Sequence, residues 1–394
     1  MTHVRKVLIL DANYPSESNH YGDVFVHARV KEYKKQAEVV VASVPSKLPN
    51  WQHEGVEVRA FAELSGLVAF IREYQPDVLC GHFVEGSLID EVFLRLGIPA
   101  VIWVHGYEAL GWYRRLFSIR SSKELAVYLV RNTIQMARFG RLIRHGNRSG
   151  RSSFIFVSQW VRRAAQFDTM SEAKHAYVVP NPIDGHLFAY REKNPSLRTR
   201  ILMIRSFNSK KYATDIATDS ILHLSRHRAF NQFEFSIYGR GHLFAETAAK
   251  LHRFKNVHMY ETFLPQRSIP ALHAQHGVML CPTRQDTHGV SMCEAMSSGL
   301  VPLTSRNTAI PEYVTDGVSG ILTRSAKQLA QAMLQLYEHP DLFVSMSRSA
   351  AESVRQQCGL EEVISRELEI MENTVARARG RSSRQIEGQV ENSA

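Results

Sequence analysis

The sequence has few cysteines and no long apolar run. Its four cysteines, at positions 80, 281, 293 and 358, form no Cys-x-x-Cys pair and no spacing typical of metal ligands, which indicates a reducing compartment with buried thiols. No stretch approaches the ~20 consecutive apolar residues of a membrane helix. These absences predict a cytoplasmic protein with neither a disulfide framework nor a structural metal.

Acidic residues are nearly absent from one segment, residues 111–151. It contains ten arginines and lysines but one acid, Glu124, so it carries ten minus one, or +9, of the formal net charge of +10. Large apolar residues alternate with these cations, a composition that suits anionic lipid, where each cation contributes about 1 kcal/mol. We therefore expect peripheral attachment to the inner membrane leaflet and no nucleic acid partner. The alternatives are ordinary solvated helices and a surface for RNA or another polyanion.

With 394 residues, the chain exceeds what one core usually holds. Apolar strand patterns alternate with helical patterns in both halves, which predicts two doubly wound α/β domains. Prolines at 180 and 182 suit a boundary, and we place the domains at 1–188 and 189–375, the last helix crossing back to the first domain. Residues 376–394 contain almost no large apolar side chain and are predicted to be disordered.

The most informative stretch is residues 284–322. A strand pattern at 278–281 leads through a Thr-His-Gly turn into a helical segment at 290–298. The first N–H groups of a helix lack partners and carry partial positive charge, so a phosphate is the expected ligand at this turn. Asp286 and Glu294 frame the turn, and both carboxylates can accept hydrogen bonds from sugar or ribose hydroxyls.

This stretch resembles the E-x7-E region of the retaining, GT-B-fold glycosyltransferases of family 4. The matching residues are Asp286, Glu294-Ala295-Met296, Ser298-Gly299, Pro302, Pro311-Glu312, Asp316-Gly317 and Gly320. The resemblance implies that the first acid holds the donor sugar, that the second holds the ribose, and that the amides of Gly289, Val290 and Ser291 hold the diphosphate. Two departures are Asp286 in place of Glu and Thr308-Ala309 in place of a Gly pair. The shorter acid leaves the donor sugar unassigned.

The resemblance implies further donor-side residues in the second half. Arg205 and Lys211 correspond to the cations that the family aims at the diphosphate, with Lys210 as the competing lysine, and Gly239 corresponds to a glycine turn near the nucleotide. Fixed cations beside a leaving diphosphate stabilise the charge that grows on it. No cofactor and no metal are therefore expected.

In the first half, the resemblance points to residues that follow strands. Gly22 would lie near the donor phosphates and the acceptor, although an ordinary turn glycine explains it equally well. His105 would contact the donor sugar at the reaction centre, in a cleft between the two domains. His82 and Glu85 are candidates for the acceptor side, and for a lone histidine the alternative is a structural role.

Together these features predict a retaining glycosyltransferase of GT-B architecture. It would move a sugar from a nucleotide-diphosphate sugar, a UDP-sugar being favoured, to a hydroxyl of a lipid-linked or membrane-borne glycan in cell-surface polysaccharide synthesis. Two alternatives remain open. One is a polyanion- or RNA-binding protein on the same scaffold, and the other is a sugar-nucleotide epimerase, which would work without an acceptor.

Overall fold

The computed structural model describes residues 4–17, 19 and 22–391, with side chains through residue 380. The chain divides into two compact units, the first formed by Met1–Pro182 and Glu361–Ala394 and the second by Ile183–Leu360. The sequence predicted the boundary after residue 188, whereas the second unit begins at Ile183. Ile183 belongs there because its N–H donates to Cys358 O at 2.8 Å.

The first unit contains an eight-stranded sheet of order β3-β4-β2-β1-β5-β6-β7-β8. All neighbouring strands are parallel except the pair β3 and β4. The central strands are buried along almost their whole length, as is typical of a parallel sheet covered on both faces. The strands are β1 Lys6–Leu10, β2 Glu38–Ser43, β3 Trp51–His53, β4 Val56–Ala60, β5 Val78–His82, β6 Ala100–Val104, β7 Ser152–Phe156 and β8 Ala176–Val178.

Among the described residues of this unit, four α-helices precede the boundary: α1 Val24–Tyr33, α2 Leu64–Tyr74, α3 Ser122–Ser149 and α4 Gln159–Asp168. The predicted basic segment forms a 3-10 helix, Trp112–Ser118, and then α3. Helix α3 begins where Ser121 Oγ accepts the N–H of Glu124 at 3.2 Å. Its buried face includes Met136, Phe139 and Ile143, so the cations and the remaining apolar residues lie on its other faces.

The second unit contains a six-stranded parallel sheet of order β11-β10-β9-β12-β13-β14. Its strands are β9 Arg200–Ile204, β10 Glu234–Gly239, β11 Val257–Glu261, β12 Val278–Cys281, β13 Val301–Ser305 and β14 Ile321–Thr323. Its helices are α5 Thr214–Leu224, α6 Phe244–Leu251, α7 Ile269–Gln275, α8 Val290–Ser297, α9 Ile310–Tyr313, α10 Ala326–Glu338 and α11 Pro340–Cys358. The strand order reverses between β9 and β12, and the carboxyl ends of strands at such a point are where open α/β sheets bind ligands.

The last helix, α12 Leu360–Glu391, lies with the first unit from Glu361 onward. Its Glu367 accepts hydrogen bonds from Arg29 Nε at 2.9 Å and from Trp103 Nε1 at 3.0 Å. The sequence predicted disorder from 376, but the helix continues, Ala378 is buried, and Arg377 Nε donates to Gly150 O at 2.7 Å. This part of α12 packs through alanine and arginine side chains, whose small size or long aliphatic stem allows them to cover apolar surface. A prediction of order that relies on large apolar residues therefore misses it.

Candidate active site

The cation at the end of β9 is held rigidly. Arg205 is 6% exposed; its Nη1 donates to Ser291 Oγ at 3.2 Å and its Nη2 to Cys281 O at 3.1 Å. The guanidinium lies 5.7 Å from the centre of the Tyr212 ring. Its Nε is buried and has no hydrogen-bond partner among the described residues. A buried donor without a partner costs about 1–3 kcal/mol, so an anion that accepts this bond is favoured here.

The second cation, Lys211, lies in a 3-10 helix that is tied to the loop after β12. Its carbonyl accepts the N–H of Arg284 at 2.8 Å and Thr283 Oγ1 at 3.0 Å. Its ammonium lies 5.4 Å from the centre of the Tyr212 ring, which also faces Arg205. Tyr212 thus contacts both cations, a role that the sequence analysis missed.

Asp286 organises the turn that precedes α8. Its Oδ1 accepts the N–H of Thr287 at 2.9 Å and that of Gly289 at 3.0 Å, and its own N–H donates to Thr308 Oγ1 at 3.0 Å. Thr308 has a φ of +48°, which explains why the resembling family favours glycine there. Burial alone would raise the pKa of Asp286, but the charges of Lys211 and Arg205 outweigh it, so the pKa is lowered. The carboxylate is therefore anionic and partly committed to the turn.

The helix start and the second acid follow directly. Gly289, with a φ of +82°, brings the chain into α8, whose first residues are Val290 and Ser291. Glu294 is 8% exposed, and burial raises its pKa to about 7 although Gln266 Nε2 donates to its Oε1 at 2.9 Å. Gln266 comes from the 3-10 turn after β11, and nothing in its local sequence indicated this contact.

Gly239, at the end of β10, is required by packing. A Cβ atom there would lie 2.0 Å from the carbonyl oxygen of Arg205. The absence of a side chain therefore lets β10 end directly beside the arginine. In this structure Gly239 positions Arg205, and its predicted contact with a nucleotide stays a prediction.

In the first unit, the two predicted histidines meet. His82 ends β5, His105 follows β6, and His82 Nδ1 lies 2.9 Å from His105 Nε2. Burial and the neighbouring His105 lower the pKa of His82 well below its ordinary value. The N–H groups of His105 and Gly106 both donate to Glu108, the latter at 3.0 Å. Glu108, which the sequence analysis did not single out, thus fixes the backbone that carries His105.

A cavity of about 920 Å³ lies beside these histidines, entirely within the first unit. Asp11, Asp23, His82 and Glu85 line it. Asp11 Oδ1 accepts the N–H of Asn13 at 3.0 Å, and the side chains of Asp11 and Asp23 are hydrogen-bonded to each other. Burial and then the Asp23 charge raise the pKa of Asp11 well above its ordinary value. Burial likewise raises the pKa of Asp23 to about 6 and that of Glu85.

The predicted Gly22 contributes to this cavity indirectly. A Cβ atom at Gly22 would lie 2.3 Å from the carbonyl oxygen of Asn13, and the N–H of Asp23 donates to that same oxygen at 2.9 Å. The glycine thus allows the close approach that places Asp23 beside Asp11. Asp11 follows the first strand directly, which is the signal that could have identified it from the sequence.

The second unit matches a known family. Residues 198–339 match the family model described as Glycosyl transferases group 1. The second unit carries a group 1 glycosyltransferase domain. Among curated proteins, the chain is 24% identical over 174 residues to N-acetyl-alpha-D-glucosaminyl L-malate synthase of Bacillus anthracis. That match covers 40% of this chain and 46% of the relative, so it spans less than half of the relative's length.

Solved glycosyltransferase structures share the whole fold at low identity. Anabaena HepE in complex with UDP and glucose is 15% identical, with a TM-score of 0.69 over 94% of this chain and 100% of that one. Sucrose-phosphate synthase of Thermosynechococcus elongatus is 12% identical, with a TM-score of 0.71 over 94% and 100%. WaaG, a glycosyltransferase involved in lipopolysaccharide biosynthesis, is 14% identical, with a TM-score of 0.65 over 93% and 99%. The predicted GT-B fold with two parallel-sheet domains and the group 1 recognition are confirmed.

Proposed function

We propose that this protein is a retaining glycosyltransferase that moves a sugar from a UDP-sugar to an acceptor hydroxyl. The observation that carries the proposal is the pair of cations at the start of α8, one of them with an unsatisfied buried donor, Arg205 Nε. Arg205, Lys211 and the first N–H groups of α8 provide for a diphosphate without a metal. Because these charges are fixed before the reaction, they stabilise the negative charge that grows on the diphosphate as the glycosidic bond breaks.

The rest of the donor is accommodated by the two acids of the second unit. Glu294, with Gln266 beside it, would accept the hydroxyl hydrogens of the ribose, and the Asp286 turn would hold the sugar. Uracil is proposed as the base because HepE is described with UDP and with UDP-glucose. The identity of the sugar is left to experiment.

Retention of configuration is proposed to proceed by attack from the face that the phosphate leaves, with that phosphate assisting. A double displacement would need an ionised carboxylate nucleophile. Asp11 is the acid at a strand end of the first unit, but it is 2% exposed and its pKa is raised, so it is a poor nucleophile. This favours the phosphate-assisted route.

The donor part is tested by a thermal-shift screen of the full chain against UDP, GDP, ADP and their sugar conjugates, without added metal. A ligand at 100 times its Kd stabilises the folded protein by about 2.7 kcal/mol, and we expect that effect with UDP. No shift with any nucleotide, together with salt-sensitive RNA binding, would establish the polyanion-binding alternative. Conversion of the sugar nucleotide without an acceptor would establish the epimerase.

For the acceptor, we propose a lipid-linked glycan in cell-surface polysaccharide synthesis. The cavity of the first unit is lined by acids and also by Arg131, Ile134 and Arg138 of α3. Ile134 continues along α3 into two further exposed apolar residues, Val130 and Val127, at helical spacing. Sugar hydroxyls would meet the acids, a phosphate would meet the arginines and the lipid would follow the apolar residues. The described function of WaaG in lipopolysaccharide biosynthesis agrees with this class of acceptor.

We also propose that α3 attaches the enzyme peripherally to the inner leaflet of the membrane. Among the described residues, no helix has both the length and the apolar character needed to cross a bilayer. Part of the positive charge is already paired, since Arg138 and Arg141 contact Asp90 and Arg144 donates to Ser171 Oγ. Exposed cations such as Lys123 and Arg131 are therefore better candidates for contact with lipid headgroups.

Co-sedimentation with vesicles of anionic and of neutral lipid tests this attachment. Val130 is 61% exposed on α3, and Val130→Asp should weaken binding to anionic vesicles about tenfold, because it replaces an inserting apolar group by a like-charged one. Phe167→Asp is the matched control, since Phe167 is 74% exposed but lies on α4. Equal loss in both variants, or loss in neither, would contradict the membrane proposal.

A further inference from the structure

Three side chains that lie far apart in the sequence meet in the interior of the second unit. His288 comes from the turn after β12, Cys293 from α8, and Cys358 is the last residue of α11. Each is buried, at 1% exposure or less. Their potential ligand atoms all lie within 4.8 Å of one another, and Cys358 Sγ lies 3.5 Å from His288 Nε2. Spacing in the sequence could not show this cluster, because the fold creates it.

The chemistry of the cluster differs from that of ordinary buried thiols. Two sulfurs and one imidazole nitrogen lie within contact of one another, so three donor atoms that soft cations prefer meet at one point. The remaining nitrogen of His288, Nδ1, is buried and has no hydrogen-bond partner in the described ranges. Nε2, the nitrogen that faces Cys358 Sγ, is therefore the one available to a cation in the cluster. The other two cysteines, Cys80 and Cys281, are also buried and free.

We propose that His288, Cys293 and Cys358 form a binding site for a borderline-soft divalent cation of the Zn²⁺ class. Thiolate sulfur and imidazole nitrogen are the ligands that such cations prefer, and three protein ligands leave one coordination position for another donor. Both sulfurs bind as thiolates, so the thiol protons are released to solvent when the cation binds. No oxidation or group transfer is involved, and the cation is separate from the sugar-transfer chemistry.

The position of this site links it to the donor-binding turn. His288 lies within that turn, and its backbone N–H donates to Asp286 Oδ1 at 3.4 Å. Cys293 directly precedes Glu294 on α8, and the carbonyl of Cys358 accepts the N–H of Ile183, the first residue of the unit. A bound cation would join the turn, α8 and the end of α11. We therefore expect it to stabilise the second unit and to restrict the turn that carries Asp286.

Titration of the reduced full-length protein with Co²⁺ tests the proposal, because Co²⁺ bound by thiolates absorbs in the near ultraviolet and occupies Zn²⁺ sites. About one ion per chain should produce thiolate-to-cobalt charge-transfer bands that Zn²⁺ then abolishes. Cys293→Ala and Cys358→Ala should each remove the bands. The matched controls are Cys80→Ala and Cys281→Ala, which remove equally buried thiols outside the cluster and should retain them.

The melting temperature provides a second measurement. Zn²⁺ should raise the melting temperature of the wild type and of Cys281→Ala but not that of Cys358→Ala. If Cys358→Ala does not fold, Cys358→Ser takes its place. The proposal is overturned if the wild type binds no Co²⁺ with charge-transfer bands. It is equally overturned if the bands persist in both Cys293→Ala and Cys358→Ala, because the thiolates would then come from elsewhere.

Discussion

The donor turn of the second unit and the cavity of the first unit hold the same type of side chain in opposite states. Asp286 has a lowered pKa because Lys211 and Arg205 outweigh its burial. Asp11 has a raised pKa because burial is reinforced by a second carboxyl group, Asp23. One region is thus arranged around fixed positive charge, and the other around acids that bind protons readily. The first arrangement suits an anionic diphosphate, and the second suits neutral hydroxyl groups.

The two regions also differ in the hydrogen bonds that hold their charged side chains. The guanidinium of Arg205 is fixed by a hydrogen bond to the chain around β12, and the backbone of Lys211 is held by the loop after that strand, so the arginine needs little rearrangement when an anion arrives. The cavity acids Asp11 and Asp23 instead hydrogen-bond to each other, with no cation among the causes of their raised pKa values. Under the proposed function, we therefore expect the donor region to contribute most to the chemical step and the cavity to contribute mainly to recognition of the acceptor. Three variants test this difference.

The largest effect is expected from Lys211→Met. Removing one preorganised charge from a developing anion typically lowers kcat about 10²- to 10³-fold, and we expect that loss with little change in the acceptor KM. Lys210→Met is the matched control. The Lys210 carbonyl accepts a hydrogen bond from Arg284, but this contact uses the backbone and survives the substitution. Steady-state kinetics with both variants decides the assignment, and equal losses would show that neither lysine acts specifically on the diphosphate.

The donor turn also shows how much of the candidate site could be predicted from the sequence. The acids and cations of the donor turn were predictable because the resemblance to family 4 assigned them. They also lie in or just after the segments that follow β9 and β12, two adjacent parallel strands whose carboxyl ends meet at one edge of the sheet. Tyr212 and Gln266 were not, since their contacts depend on how two 3-10 turns pack against β9 and α8. Cys358 was even less accessible, because its partners lie 65 and 70 positions away in the chain.

In the first unit, the same limits apply more strongly. Strand patterns predicted His82 and His105 at strand ends, but not that the two rings share a hydrogen bond. The pairing of Asp11 with Asp23 depends on a contact between two parts of one loop, where the N–H of Asp23 donates to Asn13 O, and no periodic pattern encodes such a contact. The fold class was readable from local alternation, whereas the acceptor cavity required the packed loops.

A smaller effect is expected from Asp23→Asn. It leaves the cavity intact but removes one acceptor of hydroxyl hydrogens, so the acceptor KM should rise about tenfold, equivalent to about 1.4 kcal/mol. The thermal shift caused by UDP should not change, because the donor cations lie in the other unit. Glu91→Gln, which alters an exposed acid paired with Arg95, is the control and should change neither value. A weakened UDP shift in Asp23→Asn would remove the division between donor and acceptor regions.

The last effect concerns stability and its pH dependence, and not catalysis. Burial raises the pKa of Glu294 from 4.5 to about 7, so the folded protein binds a proton more tightly than the unfolded chain. Between these pH values, the free energy of unfolding falls as pH rises, by at most about 3 kcal/mol above pH 7. Glu294→Gln removes this loss, and its melting temperature should exceed that of the wild type by more at pH 8 than at pH 5.

Glu338→Gln, at an exposed acid of the same unit, should show no such trend when melting temperatures are compared across pH. Saturating UDP sharpens the test, because ribose hydroxyls that donate to Glu294 favour its ionised form and should lower its pKa. The difference between wild type and Glu294→Gln would then shrink at pH 8. If UDP leaves that difference unchanged, Glu294 does not contact the nucleotide. The proposal for donor binding would then depend on Arg205, Lys211 and Asp286, the group whose pKa these cations lower.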